Sequence, residues 1–124
     1  MLDGGFPGWE RGGFPIDSHP PAARPERHFT ARYRGDLVRD ASDVRKAIDD
    51  ARTILDARPA PRFRGETPEP RAGLKSGHMP GARSAPAGSL INENGALRSK
   101  EELEQLFAAA GADISQQALC TCGS

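Results

Sequence analysis

The sequence predicts an α/β fold in which a mostly parallel sheet is flanked by helices. An amphipathic stripe between Asp40 and Ala51 is followed at once by the β-branched and apolar run Thr53-Ile54-Leu55. A capped helical pattern from Ser99 to Gly111 is followed by a second apolar run, Ala118-Leu119-Cys120-Thr121. Helix-then-strand order, met twice, is how helical crossovers connect parallel strands. Between the two units, from Pro59 to Gly88, no period is sustained, and a loop of that length inside a compact domain points to function.

Each element has its own signal. The first residues, Met1 to Trp9, read as the end of a buried strand, a Gly/Pro turn and a short helical segment bearing Trp9, so residues 1–13 are expected to be the tail of a preceding domain. Residues 14–35 are rich in Pro, Ala, Arg, Ser and His, which offer little apolar surface to offset the entropy of ordering, and are expected to be an interdomain linker. Near its end Phe29, Ala31 and Tyr33 alternate with polar residues, the period of a short edge strand. Residues 36–124 then make a second domain. Asp40 or Ser42 caps a helix burying Val44, Ala47, Ile48 and Ala51, and Thr53 to Ala57 follows as a strand. Ser99-Lys100-Glu101-Glu102 is a capping box opening a helix that buries Leu103, Leu106, Phe107 and Ala110. Gly111 stops that helix in the left-handed region, and Ala118 to Thr121 is the next strand.

Composition narrows the function. Basic and acidic residues balance at 17 each, so no net field points to nucleic acid or to any charged polymer. No run approaches the roughly 20 apolar residues that span a bilayer, and no secretory pattern opens the chain, so no membrane partner is expected and the expected compartment is the cytoplasm. A chain of 124 residues with 14 glycines and 11 prolines can bury only a small core. His19 and His28 fall in the linker and His78 stands alone between Gly77 and Pro80, a turn residue expected to hydrogen-bond locally. Without clustered His and Cys, no metal and no cofactor are implied. Arg58, two residues beyond Asp56, is expected to pair with a carboxylate and brace the long loop.

The two cysteines are Cys120 and Cys122. Neighbours so spaced seldom close a comfortable disulfide, which leaves reactive or buried thiols. Cys122 lies just past the end of a strand, where open parallel sheets bind ligands, and the following Gly123 and Ser124 let the loop curl so that its amides face the sulfur. Such a nest favours a thiolate. Taken by itself, a free cysteine at a strand end is more often buried packing than a catalyst. Cys120 shares its face by alternation and is expected to be buried filler, or else a resolving thiol.

Three stretches carry a more specific message. The first is Leu2-Asp3-Gly4-Gly5-Phe6-Pro7-Gly8-Trp9. The second runs from Leu55-Asp56-Ala57-Arg58 through Arg62-Phe63-Arg64-Gly65-Glu66 and Pro68-Glu69-Pro70-Arg71 to Gly77-His78-Met79-Pro80-Gly81-Ala82. The third is the terminal Cys122-Gly123-Ser124. In that order and spacing they resemble the two-domain rhodanese-like sulfurtransferases: the closing turn of the first domain, the substrate loop of the second, and the start of the active-site loop. The resemblance implies a rhodanese-like domain over residues 36–124, incomplete at its C-terminus.

It implies a chemistry as well. Cys122 becomes the nucleophile, and Ser124 the hydroxyl that relays or donates a proton near the substrate. Gly123 belongs to the substrate-binding loop, while Arg62 and Arg71 become the guanidinium pair that clamps the carboxylate and carbonyl of an α-keto acid. The donor would be 3-mercaptopyruvate, because Gly123 and Ser124 are uncharged where thiosulfate-preferring relatives carry basic residues. Thiosulfate is the alternative donor, and a non-catalytic binding or sulfur-carrying module the alternative role. The acceptor would be cyanide or a thiol, such as a small thiol or a thioredoxin-like protein, reached through a cysteine persulfide.

Overall fold

Ile54, Leu55 and Asp56 are all buried, and a strand covered on both faces belongs at the centre of a sheet. In the structure, a computed structural model that describes residues 2–123, that strand (β1, Ile54–Asp56) is central. On one side lies β2 (Arg83–Ser84) and on the other β3 (Leu119–Thr121), both parallel to β1. Leu55 is opposite Arg83 and Cys120, and Asp56 is opposite Ser84 and Thr121. Parallel neighbours need crossovers, and the described helices supply them.

The helix α2 (Ala41–Asp49) begins where the sequence places it. The Asp40 carboxylate accepts from the amides of Ser42 and Asp43, and the Asp43 carboxylate returns to the Asp40 amide, closing a capping box. Ala47 is buried against Ile54 and Leu119, with Val44, Ile48, Met79 and Ala82 packed around them. Ala51, expected as the fourth member of the buried stripe, is exposed at φ 51°. The helix has ended two residues earlier, and Ala51 takes the left-handed conformation that turns the chain into β1.

The second unit repeats the pattern. Ser99 accepts from the Glu102 amide and Glu102 from the Ser99 amide at the start of α4 (Lys100–Ala109). Leu103, Leu106, Phe107 and Ala110 are half-buried. Gly111 follows at φ 70°, the left-handed turn that favours glycine, and a Cβ there would stand 2.7 Å from Nη1 of Arg83, whose side-chain end would have to shift.

Three expectations change. Phe29 and Tyr33 form no strand and are 85% and 81% exposed, because alternation creates an edge strand only where a neighbour offers a ladder, and none is beside them among the described residues. At the N-terminus the Trp9-bearing helix is present as α1 (Gly5–Arg11), but Leu2 and Asp3 pair with no strand. Asp3 Oδ1 instead accepts from the Leu97 amide at 3.0 Å, and Arg11 donates to the Asn94 carbonyl, tying this turn to the 92–97 loop. The long stretch after Pro59 contains a one-turn helix, α3 (Ala60–Phe63), β2 and a 3-10 turn over Ala87–Leu90. No helix among the described residues is long and apolar enough to cross a membrane.

Candidate active site

Because β1 and β3 are parallel and paired through Asp56 and Thr121, the chain leaves both strands at the same edge of the sheet. The ladder continues one step further, the Ala57 amide donating to the Thr121 carbonyl at 2.9 Å. Arg58 therefore emerges beside Cys122 and Gly123.

The loop after β1 is held by ions. Asp56 is 1% exposed, and its carboxylate accepts from the backbone amide, Nε and Nη2 of Arg58. Arg58 then donates through Nη1 to Glu69 at 2.7 Å and through Nη2 to the Gly77 carbonyl at 2.7 Å. Glu69 also accepts from Nε and Nη2 of Arg62, and Arg62 Nη2 reaches the carbonyl of Gly123 at 3.2 Å. A chain of alternating charge thus runs from the buried end of β1 to the peptide beside Cys122.

Each buried carboxylate has its charge compensated. Burial would raise Asp56, but the Arg58 hydrogen bonds outweigh it and hold the carboxyl below its ordinary range. Glu69 is lowered too, first by the hydrogen bond from Arg62 and further by the charges of both arginines. Arg58 is raised by Asp56. His78 is a turn residue as expected: its ring stacks on Phe63 at 3.8 Å between centroids, and Nδ1 lies 2.8 Å from the Phe63 carbonyl.

An open cleft of about 570 Å³ lies over this network, lined by Asp56, Arg58, Glu69, Lys75, His78 and Gly123 among others. Cys122 is a free, exposed thiol next to Gly123. A Cβ on Gly123 would stand 2.8 Å from both Arg58 Cδ and Arg62 Nη2, so only glycine fits under the two guanidinium groups. Arg62 is half-buried against Glu69 and Arg71 is exposed; both, like Cys122, lie outside the set of residues that line the cleft. Ser124 lies outside the described residues. Cys120, expected to be buried, is exposed and opens on a separate cavity beside Leu37, Val44 and Met79, because β3 is the outer strand of the described sheet. The sequence reading missed Glu69, although an acidic residue among four arginines of one loop was its available signal.

No family model matches the chain. Curated proteins do, over its whole length. It is 36% identical to 3-mercaptopyruvate sulfurtransferase of Escherichia coli K12 and 35% identical to that of Mus musculus, covering 100% of this chain and 44% and 42% of those proteins. It is also 32% identical over 98% of its length to thiosulfate sulfurtransferase of Gallus gallus, covering 42% of it. The crystal structure of SseA from Escherichia coli, a 3-mercaptopyruvate sulfotransferase of the "Rhodanese" fold, superposes with a TM-score of 0.84 over 98% of this chain and 45% of that one, at 32% identity. The chain has the rhodanese fold and is similar over its whole length to these sulfurtransferases. It spans less than half the length of these relatives. Within the rhodanese fold, the small parallel sheet with Cys122 beyond β3 is the part described above.

Proposed function

We propose that this chain carries the nucleophile and the two substrate arginines of a sulfurtransferase, which moves sulfane sulfur from 3-mercaptopyruvate through a persulfide on Cys122. The observation that carries the reading is the ionic chain ending in Arg62 on the Gly123 carbonyl, one residue from an exposed thiol. A guanidinium beside the nucleophile orients a planar carboxylate by paired hydrogen bonds, which brings the donor's C–S bond to the sulfur. Arg71 joins it in the clamp, and Ser124 acts as the proton relay.

Cys122 thiolate attacks the donor sulfur. The C–S bond breaks with its electron pair passing to the carbon side, so pyruvate leaves as its enolate and takes up a proton. The enzyme is left with Cys–S–S⁻. An acceptor thiolate or cyanide then attacks the outer sulfur, and Cys122 departs as thiolate. Residues 1–13, 14–35 and 36–124 act as domain tail, linker and catalytic domain. Thiosulfate is the second donor to consider, favoured by the similarity to thiosulfate sulfurtransferase.

Intact-mass analysis after exposure to 3-mercaptopyruvate is the test. A gain of about 32 Da, the mass of one sulfur atom, is expected on the peptide containing Cys122 and is expected to vanish in Cys122→Ser. A gain that survives in Cys122→Ser would move the nucleophile to Cys120, and no gain with either donor would overturn the reading.

A further inference from the structure

A planar guanidinium has two edges that can present paired donors, one through Nε and Nη2 and the other through the two Nη groups. In Arg62 the first edge is already engaged: Nε and Nη2 both face the Glu69 carboxylate. Nη2 also donates to the Gly123 carbonyl, while Nη1 has no protein partner among the described residues. Glu69 itself is fixed from the far side by Arg58, which is in turn fixed by Asp56 and the Gly77 carbonyl. The Glu69 side chain is 4% exposed and the Arg62 side chain 18% exposed, so neither is a loosely solvated surface ion.

This matters because a lone arginine on a loop would sample many rotamers, and each one lost on binding weakens the complex. Holding Arg62 through Nε and Nη2 leaves the donors of Nη1 for a ligand at no further ordering cost. Nη2 also reaches the carbonyl of Gly123, the residue after Cys122, linking the clamp to the nucleophile's loop.

We propose that Glu69 is a positioning residue: it grips Arg62 by the Nε–Nη2 edge, so that the Nη1 side presents to the carboxylate of an α-keto acid donor and the guanidinium stays on the Gly123 carbonyl. The proposal rests on the persulfide reading above and adds a role for a residue that touches no reacting atom. Charge alone would not suffice, because an aspartate is one methylene too short to reach both Arg58 and Arg62.

The test measures persulfide on Cys122 by mass as a function of 3-mercaptopyruvate concentration, in the protein as it stands and in Glu69→Gln, Glu69→Asp and Arg62→Lys. Glu69→Gln and Glu69→Asp should each raise the half-saturating donor concentration about tenfold, with the maximal initial rate within about twofold, the pattern of lost ground-state binding. Arg62→Lys, which removes the clamp itself, should raise half-saturation at least as far and lower the maximal initial rate as well, and adding Glu69→Gln to it should raise half-saturation little further, since both changes disable one clamp. Native circular dichroism of the variants separates misfolding from mispositioning; a variant that loses the fold is replaced in the comparison by Glu69→Asp or Arg62→Lys. Unchanged half-saturation in folded Glu69→Gln, full activity in Glu69→Asp, or additive effects in the double variant would each overturn the positioning role while leaving the persulfide reading intact. No persulfide in the unaltered protein would instead strike the reading on which the role depends.

Discussion

Two stretches of this chain have the composition of loops, and they behave differently. Residues 14–34 and 57–82 are both rich in proline and arginine and poor in apolar side chains. In the first, the side-chain pairs span two residues, His19 with Asp17, His28 with Thr30 and Arg34 with Asp36, all exposed, and Trp9 Nε1 reaches the Pro15 carbonyl only six positions on. In the second, Arg58 reaches Glu69 eleven positions on and Gly77 nineteen positions on, and Arg62 reaches Gly123 across 61. The difference begins at Asp56. A carboxylate buried at the end of a central strand must be compensated, and the arginine that compensates it has donors left over with which to gather the rest of the loop. Local ion pairs restrain only their own turn.

Asp56→Ala tests that comparison most severely. It leaves Arg58 without its buried partner and should lower the unfolding free energy by about 3–5 kcal/mol, read from the urea midpoint; a shift comparable to that of an exposed ion pair would mean that the loop holds itself. Acid should act on the same network more gently. Asp56 and Glu69 sit below their ordinary values of 3.8 and 4.5, so the stability they contribute is complete above those unfolded values and is lost as the pH falls through the lower folded ones. Urea midpoints should therefore stay level from pH 7 to about pH 5 in this contribution and then decline, and Asp56→Ala should flatten much of that decline. The smallest effect belongs to the other stretch. Asp36→Asn removes the exposed partner of Arg34 and should leave the urea midpoint at pH 7 where it was; a clear drop would show that residues 14–34 are anchored more firmly than their contacts indicate.

The comparison also explains what the sequence disclosed. The helices α2 and α4 were legible because their capping residues and apolar spacing are local, and β1 and β3 because each followed such a helix with a buried apolar run. The two residues of β2 carry no period, since their strand character comes from pairing with Leu55 and Asp56. Tyr33 shows the converse, an alternating pattern with nothing to pair against. At the candidate site, Cys122 and Gly123 were readable from their place beyond a strand, and Arg58 from its closeness to Asp56. Glu69 was not, because its partners Arg62 and Arg58 stand seven and eleven positions before it and only the folded loop brings both guanidinium groups to one carboxylate. Arg71 rested on resemblance alone, and in this structure it is exposed and not among the residues lining the cleft.

The pairing of Asp56 with Thr121 acts as a ruler for the reaction centre. Adjacent strands lie about 4.8 Å apart and advance about 3.3 Å per residue. A slip of one residue between β1 and β3 would carry the thiol past the arginines by more than the length of a hydrogen bond, and would turn Cys122 toward the opposite face. The tolerance of the site is thus set by the hydrophobic pattern that seats Leu119 against Ile54, two residues that touch no substrate. If the proposed persulfide chemistry holds, substitutions in that small core should appear first as lost persulfide on Cys122 and only later as lost fold.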